Sequence, residues 1–265
     1  MTGKTVGIIS LKGGVGKTTA VANLGASLAK DFHKKVLVID ANFSAPNLAL
    51  HLGLVNPELT LHDVLLDRVQ AHQAIYEHAE GFHLMPAAYL SKKVNPFKLK
   101  NKIEHLKSIY DIILIDSSPN LNDEILATMI ASDELLVVSS PDYPTLSTTL
   151  RAIKLAKERK TPITGLILNK VYNKGFELSI HDIEEAAGVP VLSVIPHDIR
   201  VPESVAHTNP VALHKPLADS SIEFRKLAGS IVGESYRDPR FFSRIKDLFS
   251  KDVPKDAINR TLIQR

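Results

Sequence analysis

Short apolar runs alternate with longer amphipathic stretches along most of the chain. The runs TVGIIS (5–10), KVLVID (35–40), FHLMP (82–86), DIILID (111–116), ELLVVS (134–139), ITGLILNK (163–170) and PVLSVIP (190–196) are rich in Val, Ile and Leu. They do not alternate with polar residues, as expected of parallel strands covered on both faces. Helical periodicity recurs over 17–30, 96–108, 122–131, 145–159, 179–187 and 219–233. Strand–helix alternation of this kind predicts an α/β fold, a doubly wound and mainly parallel sheet flanked by helices. In such sheets ligands bind beyond the carboxyl ends of the strands. The loops to inspect are therefore 11–17, 41–47, 117–122, 140–145 and 196–204.

Composition narrows the functional classes. The 265 residues are 44% hydrophobic and 23% charged, with a formal net charge of +3 and no cysteine. A disulfide framework, a cysteine–zinc site and a cysteine-held iron–sulfur cluster are excluded. No apolar run reaches the roughly 20 residues of a membrane span. The N-terminus enters a strand at once without the pattern of a signal peptide, so a cytoplasmic location is expected. The 11 histidines show no metal-ligand spacing, and solvated or hydrogen-bonded roles are expected for them.

The loop between the first strand and the first helix reads SLKGGVGKTT (10–19). Gly13, Gly14 and Gly16 let the backbone around Val15 wrap an oxyanion, and the following helix adds the positive end of its dipole. Gly16-Lys17-Thr18 at a strand–helix junction is the ending of a phosphate loop, with Lys17 reaching the β- and γ-phosphates and the Thr18 hydroxyl on Mg²⁺. Two features are unusual. The first glycine of the standard spacing is replaced by Leu11, and a second lysine, Lys12, stands at the mouth of the loop. Asp116 ends a buried strand, where a carboxylate is costly without a partner such as hydrated Mg²⁺. Asp40 ends another strand on the same edge.

KGGVGKTT resembles the deviant phosphate-loop motif of the MinD/ParA family of ATPases. VLVIDANFSAPNLAL resembles that family's first switch, YDIILIDSSP its second, and VIPHDIRVPES its base-binding loop. The likeness spans residues 4–233, and the PNL after the first switch is closer to the MinD branch, including its archaeal members. The resemblance implies a P-loop NTPase fold of the SIMIBI type, ATP with Mg²⁺ as ligand, and an ATP-sandwich homodimer in which Lys12 reaches across to the partner's phosphates. It places Gly13 to Thr19 at the nucleotide and Thr18, Asp40 and Asp116 around Mg²⁺. It also places Asn169, Pro196, His197 and Asp198 at the base. The family has Asp-x-Asp where this chain has Asp40-Ala41-Asn42. The second aspartate usually orients the attacking water. An asparagine carbonyl can accept a hydrogen bond from water but cannot take a proton. Slow or partner-stimulated hydrolysis is expected if Asn42 keeps that position. Alternatively, Asn42 is a plain loop residue and another group positions the water.

The domain is expected to occupy residues 1–235, followed by a tail over 236–265. In the tail Phe241, Phe242, Ile245, Leu248 and Phe249 fall on one arc of a helix, with Arg240, Arg244, Lys246, Asp247 and Lys251 around it. Such a stripe suits an anionic membrane surface, the protein's own core or a partner. The expected function is a MinD-like switch that positions cellular machinery, with an unnamed activator or cargo. The alternatives are a ParA-like partitioning ATPase, with the cationic stretches 91–102 and 151–160 on DNA, and a non-hydrolysing scaffold. A metabolic P-loop enzyme lacks a second substrate signature. A tyrosine kinase lacks a tyrosine cluster in the tail, which has Tyr236 alone.

Overall fold

A computed structural model describes residues 2–89 and 93–240. Eight strands form one sheet: β1 (Lys4–Ile9), β2 (Val36–Ala41), β3 (Tyr76–Glu77), β4 (His83–Met85), β5 (Ile112–Ser117), β6 (Glu134–Ser139), β7 (Ile163–Val171) and β8 (Val191–Pro196). Their spatial order is β3-β4-β2-β5-β1-β6-β7-β8. Every neighbouring pair is parallel except β3–β4. The seven expected strands are all present. The additional β3 is a two-residue antiparallel edge strand, too short to leave a hydrophobic period in the sequence.

The helices are α1 (Lys17–Phe32), α2 (Leu48–His51), α3 (Leu61–Leu65), α4 (Leu99–Ile103), α5 (Asp123–Ala131), α6 (Tyr143–Glu158), α7 (Ile180–Ala187), α8 (Arg200–Ala206), α9 (Val211–His214) and α10 (Asp219–Val232). The pattern over 96–108 predicts one helix, but the chain forms a single α-helical turn, α4, flanked by 3₁₀ segments.

Residue parity explains the non-alternating strands. Val36, Val38 and Leu114 pack with α1 and α10 on one face of the sheet. Leu37, Ile39, Ile113 and Ile115 join Leu99, Ile103 and Leu106 on the other, where Leu135 and Val137 meet α5, α6 and α7. Both parities are buried, so both must be apolar. The chain leaves β1 towards β2 on one side, and β6 to β8 build outwards on the other. The loop after β1 thus sits at the point where the winding reverses, which opens a crevice at the carboxyl ends of the strands.

Arg225 of α10, 6% exposed, clamps one face of this core. Its guanidinium donates to Asp31 Oδ2 of α1 at 2.9 Å and to the carbonyls of Ala212 and Pro216 at 2.6 and 2.5 Å. Tyr236, beyond α10, packs edge-on against Phe32. The tail residues Phe241, Phe242, Ile245, Leu248 and Phe249 lie outside the described residues.

Candidate nucleotide site

The loop 10–16 rises from β1 and turns into α1. Gly14 and Gly16 adopt φ of +76° and +97°, a region that disfavours side chains. A Cβ on Gly13 or Gly14 would meet nothing within 4 Å. Both glycines stand at the open, solvent-facing side of the loop. Gly16 faces inward, where a Cβ would come 2.2 Å from Asn169 Nδ2. Helix α1 has no acidic residue in its first turn, which leaves its positive end uncompensated. Val15 is buried, Thr19 is half-buried, and Lys17 is 7% exposed. Burial lowers the Lys17 pKa, and the charge of Asp116 acts against that shift. A buried cation at the end of this loop, beside the Asp116 charge, is suited to a multiply charged anion.

β2 and β5 set Asp40 directly beside Asp116. Both are fully buried, and burial raises both carboxyl pKa values, with the Asp116 charge adding to the shift of Asp40. Asp40 is spoken for by backbone. Its Oδ1 accepts from Asn42 N at 3.0 Å, and its Oδ2 accepts from Asn47 N and Leu48 N at 3.1 and 3.0 Å. It therefore holds the 42–48 loop in shape. Asp116 Oδ2 lies 2.6 Å from the Thr18 hydroxyl, which is also 3.0 Å from Asn47 Oδ1 and can donate to only one of them. Asp116 Oδ1 is buried with no hydrogen-bond partner. An orphaned carboxylate oxygen beside a hydroxyl is an oxygen-only donor set that fits hydrated Mg²⁺.

Asn42 is also buried. Its Nδ2 donates to Ala45 O at 2.6 Å, and its Oδ1 has no partner. The amide thus keeps one free acceptor on the edge that holds Asp40 and Asp116.

Lys12 is half-exposed at the rim. Its Nζ donates to Asp142 Oδ1 at 3.4 Å and to the Thr145 hydroxyl. Asp142 caps α6 by accepting from Thr145 N at 2.9 Å. Burial works against its ionisation, but the Ser140 and Thr145 hydroxyls, the Thr145 N–H and the Lys12 charge hold its carboxyl below the usual range.

Asn169 lies beneath the loop, with Nδ2 donating to Val15 O at 2.7 Å and Oδ1 accepting from Lys170 N at 2.9 Å. Lys170, which the sequence reading passes over, donates from Nζ to Gly14 O at 2.6 Å. Consecutive residues at the end of β7 therefore brace the loop from below. Pro196 ends β8. His197 is exposed and stacks on Tyr172, with ring centroids 4.4 Å apart. The Asp198 carboxylate is turned to structure. It accepts from Arg200 Nε at 2.7 Å and Ser220 Oγ at 2.8 Å, and these bonds outweigh burial to hold its pKa down. Among residues 196–198, only the ring of His197 and backbone atoms remain for a ligand.

The histidines correct the sequence reading. Glu203, His207 and His214 bring ligand atoms within 4.8 Å of one another. Glu203 and His207 stand four apart at the end of α8, a spacing that puts them on one helical face. That signal was legible, whereas the approach of His214 depends on the α8–α9 turn.

A phosphate loop, two strand-end aspartates and a hydroxyl on one sheet edge define a P-loop nucleotide-binding protein. Known proteins make the class specific. A family model described as an AAA domain matches residues 3–164. An uncharacterised ATP-binding protein of Methanocaldococcus jannaschii is 36% identical over 93% of this chain and 97% of its own. The septum site-determining protein MinD of Bacillus subtilis is 32% identical over 88% of this chain and 90% of its own. The structure of MinD from Pyrococcus horikoshii with Mg-ADP superposes with a TM-score of 0.82 at 32% identity, covering 86% of this chain and 95% of that one. The chain belongs to the MinD/ParA family of ATPases. Among the described residues no helix is long and apolar enough to cross a membrane.

Proposed function

We propose that this chain is a MinD-like switch that binds ATP with Mg²⁺, dimerises around two nucleotides and hydrolyses them slowly. The observation that carries the reading is the placement of Lys12. Lys17 already supplies the loop with a buried cation. Lys12 stands at the rim on a half-exposed side chain, held by Asp142 and Thr145. A second cation there is suited to phosphates held by another subunit, as an arginine finger is. Large apolar residues also crowd the same edge. Leu121, Tyr143, Tyr172, Phe176 and Ile199 are all exposed, and each lies in or just after the turn leaving β5, β6, β7 or β8. Exposed large apolar side chains gathered at one edge mark an interaction surface.

In this reading the N–H groups of residues 13–19 and the Lys17 amine bind the phosphates. Thr18 and Asp116 hold Mg²⁺, whose charge offsets that of the phosphates. Asp40 fixes the 42–48 loop and meets the water around the metal. Asn169 braces the loop and offers its remaining amide valences to the base, with the backbone of Pro196, His197 and Asp198. Asn42 Oδ1 accepts a hydrogen bond from the attacking water and orients it, but takes no proton. Lys12→Ala tests the dimer. It should bind ATP yet sediment as a monomer with a non-hydrolysable analogue. A mutant that dimerises like the wild type refutes the cross-subunit role.

The tail reading rests on sequence alone. Phe241, Phe242, Ile245, Leu248 and Phe249 form a stripe that one copy anchors weakly and two linked copies anchor well. The protein then works on the inner face of the membrane. Co-sedimentation with anionic vesicles should rise with ATP and vanish on truncation after Arg240. Vesicles ignored by the ATP dimer refute it.

A further inference from the structure

We propose that Glu203, His207 and His214 form a binding site for a transition-metal ion of the zinc class at the α8–α9 turn. The site is separate from the Mg²⁺ position and does not depend on the nucleotide reading. Three observations meet here. The ligand atoms of the two imidazoles and the carboxylate lie within 4.8 Å of one another. A tetrahedral ion with bonds of about 2.1 Å would draw its ligands to roughly 3.4 Å apart, within reach of small rotamer changes. The His207 and His214 rings are nearly parallel, with centroids 4.9 Å apart and planes at 25°, so the two imidazoles pack against each other at the turn. His214 Nε2 is buried with no hydrogen-bond partner and lies 3.9 Å from Glu203 Oε1. A desolvated ring nitrogen facing a carboxylate is an arrangement a cation completes.

The donor set selects the metal. Two imidazoles and one carboxylate suit Zn²⁺, Co²⁺ or Ni²⁺, whereas Mg²⁺ prefers oxygen alone. Glu203 and His207 are exposed, so water can complete the coordination. One competitor is present. Lys215 Nζ donates to Glu203 Oε1 at 2.9 Å. That pair is solvent-exposed, and such pairs are weak enough for a divalent ion to displace the amine. The consequence is local stiffening. The first residue of α8, Arg200, is itself bonded to Asp198, and α9 is tied to α1 through Ala212 N and Asn23 Oδ1 at 2.9 Å. A metal across α8 and α9 would link the end of the base loop to the helix that follows the phosphate loop.

The test uses tag-free full-length protein in excess Mg²⁺, titrated with Zn²⁺ by calorimetry and with Co²⁺ by visible absorption. We expect one Zn²⁺ per chain and tetrahedral Co²⁺ bands. His207→Ala and Glu203→Gln, both at exposed positions, should each weaken binding about tenfold or more. An unchanged melting temperature in these variants would show that the fold is intact. Absence of saturable one-to-one Zn²⁺ binding overturns the site, as does wild-type affinity in both variants.

Discussion

Lys12 Nζ and Asp142 Oδ1 lie 3.4 Å apart across the mouth of the phosphate loop. The lysine needed for a cross-subunit contact is therefore engaged within its own chain. Release of Lys12 opposes dimerisation by the worth of that contact. Asp142→Asn removes the charge and keeps the α6 cap, since an asparagine carbonyl also accepts from Thr145 N. An exposed ion pair is worth about 0.5–1 kcal/mol. Both protomers release their Lys12, so the two contacts together should tighten the ATP-dependent dimer by about five- to thirtyfold, measured by sedimentation with a non-hydrolysable analogue. The Asp142 carboxyl is held below its ordinary 3.8. The contact is thus present above that value and is lost only as pH falls through the lowered one. The effect should therefore be the same at pH 6 and pH 8, and a weaker dimer would mean that Asp142 itself serves the interface.

Gly16→Ala should damage the site more than any substitution at Gly13. A side chain at φ +97° is strained, and its Cβ would press on Asn169 Nδ2 at 2.2 Å. Asn169 must then move and release Val15 O. The strain alone is about 1–3 kcal/mol, and the displaced loop should cost about tenfold or more in ATP affinity by calorimetry. Gly13→Ala meets no atom within 4 Å, so any loss there should appear only with nucleotide present. Equal melting temperatures for the wild type and Gly16→Ala would contradict this account.

Arg225→Ala probes the clamp between α1, α9 and α10. It would leave Asp31 and the carbonyls of Ala212 and Pro216 without their donor in a mostly buried setting. Breaking a buried pair from one side costs about 3–5 kcal/mol. The melting temperature should fall by roughly 6–20 °C for a domain of this size. A change under about 2 °C would mean that the clamp adds nothing to the α1–α10 contact.

The sheet was legible because burial on both faces writes continuous runs of Val, Ile and Leu. The phosphate loop was legible because its glycines answer to backbone conformation, as Gly14 and Gly16 do. Contacts made by the fold left weaker marks. α8 and α9, of seven and four residues, are too short to show a period. Lys170, Asp142 and Arg225 carry no pattern of their own in the sequence, and their partners come only with the topology. The Glu203–His207 spacing was visible, but His214 reaches it only through a turn whose path no local pattern predicts.

Asn42→Asp is the sharpest probe of the chemistry, because it should move stability and rate in opposite directions. The amide donates to Ala45 O at 2.6 Å, and its Oδ1 is buried without a partner. A carboxylate there loses the donor, faces the Ala45 carbonyl and adds a third acid beside Asp40 and Asp116. Without nucleotide the variant should melt at a lower temperature, by a few degrees for about 1–2 kcal/mol. With ATP and Mg²⁺ the metal charge offsets the crowding, and the carboxylate can both orient water and accept its proton. General-base help is worth about 10²-fold or more. Phosphate release under single-turnover conditions should rise by that factor while ATP affinity stays within a few fold. A lower melting temperature without a faster rate would show that Asn42 shapes the switch loop and that another group handles the water.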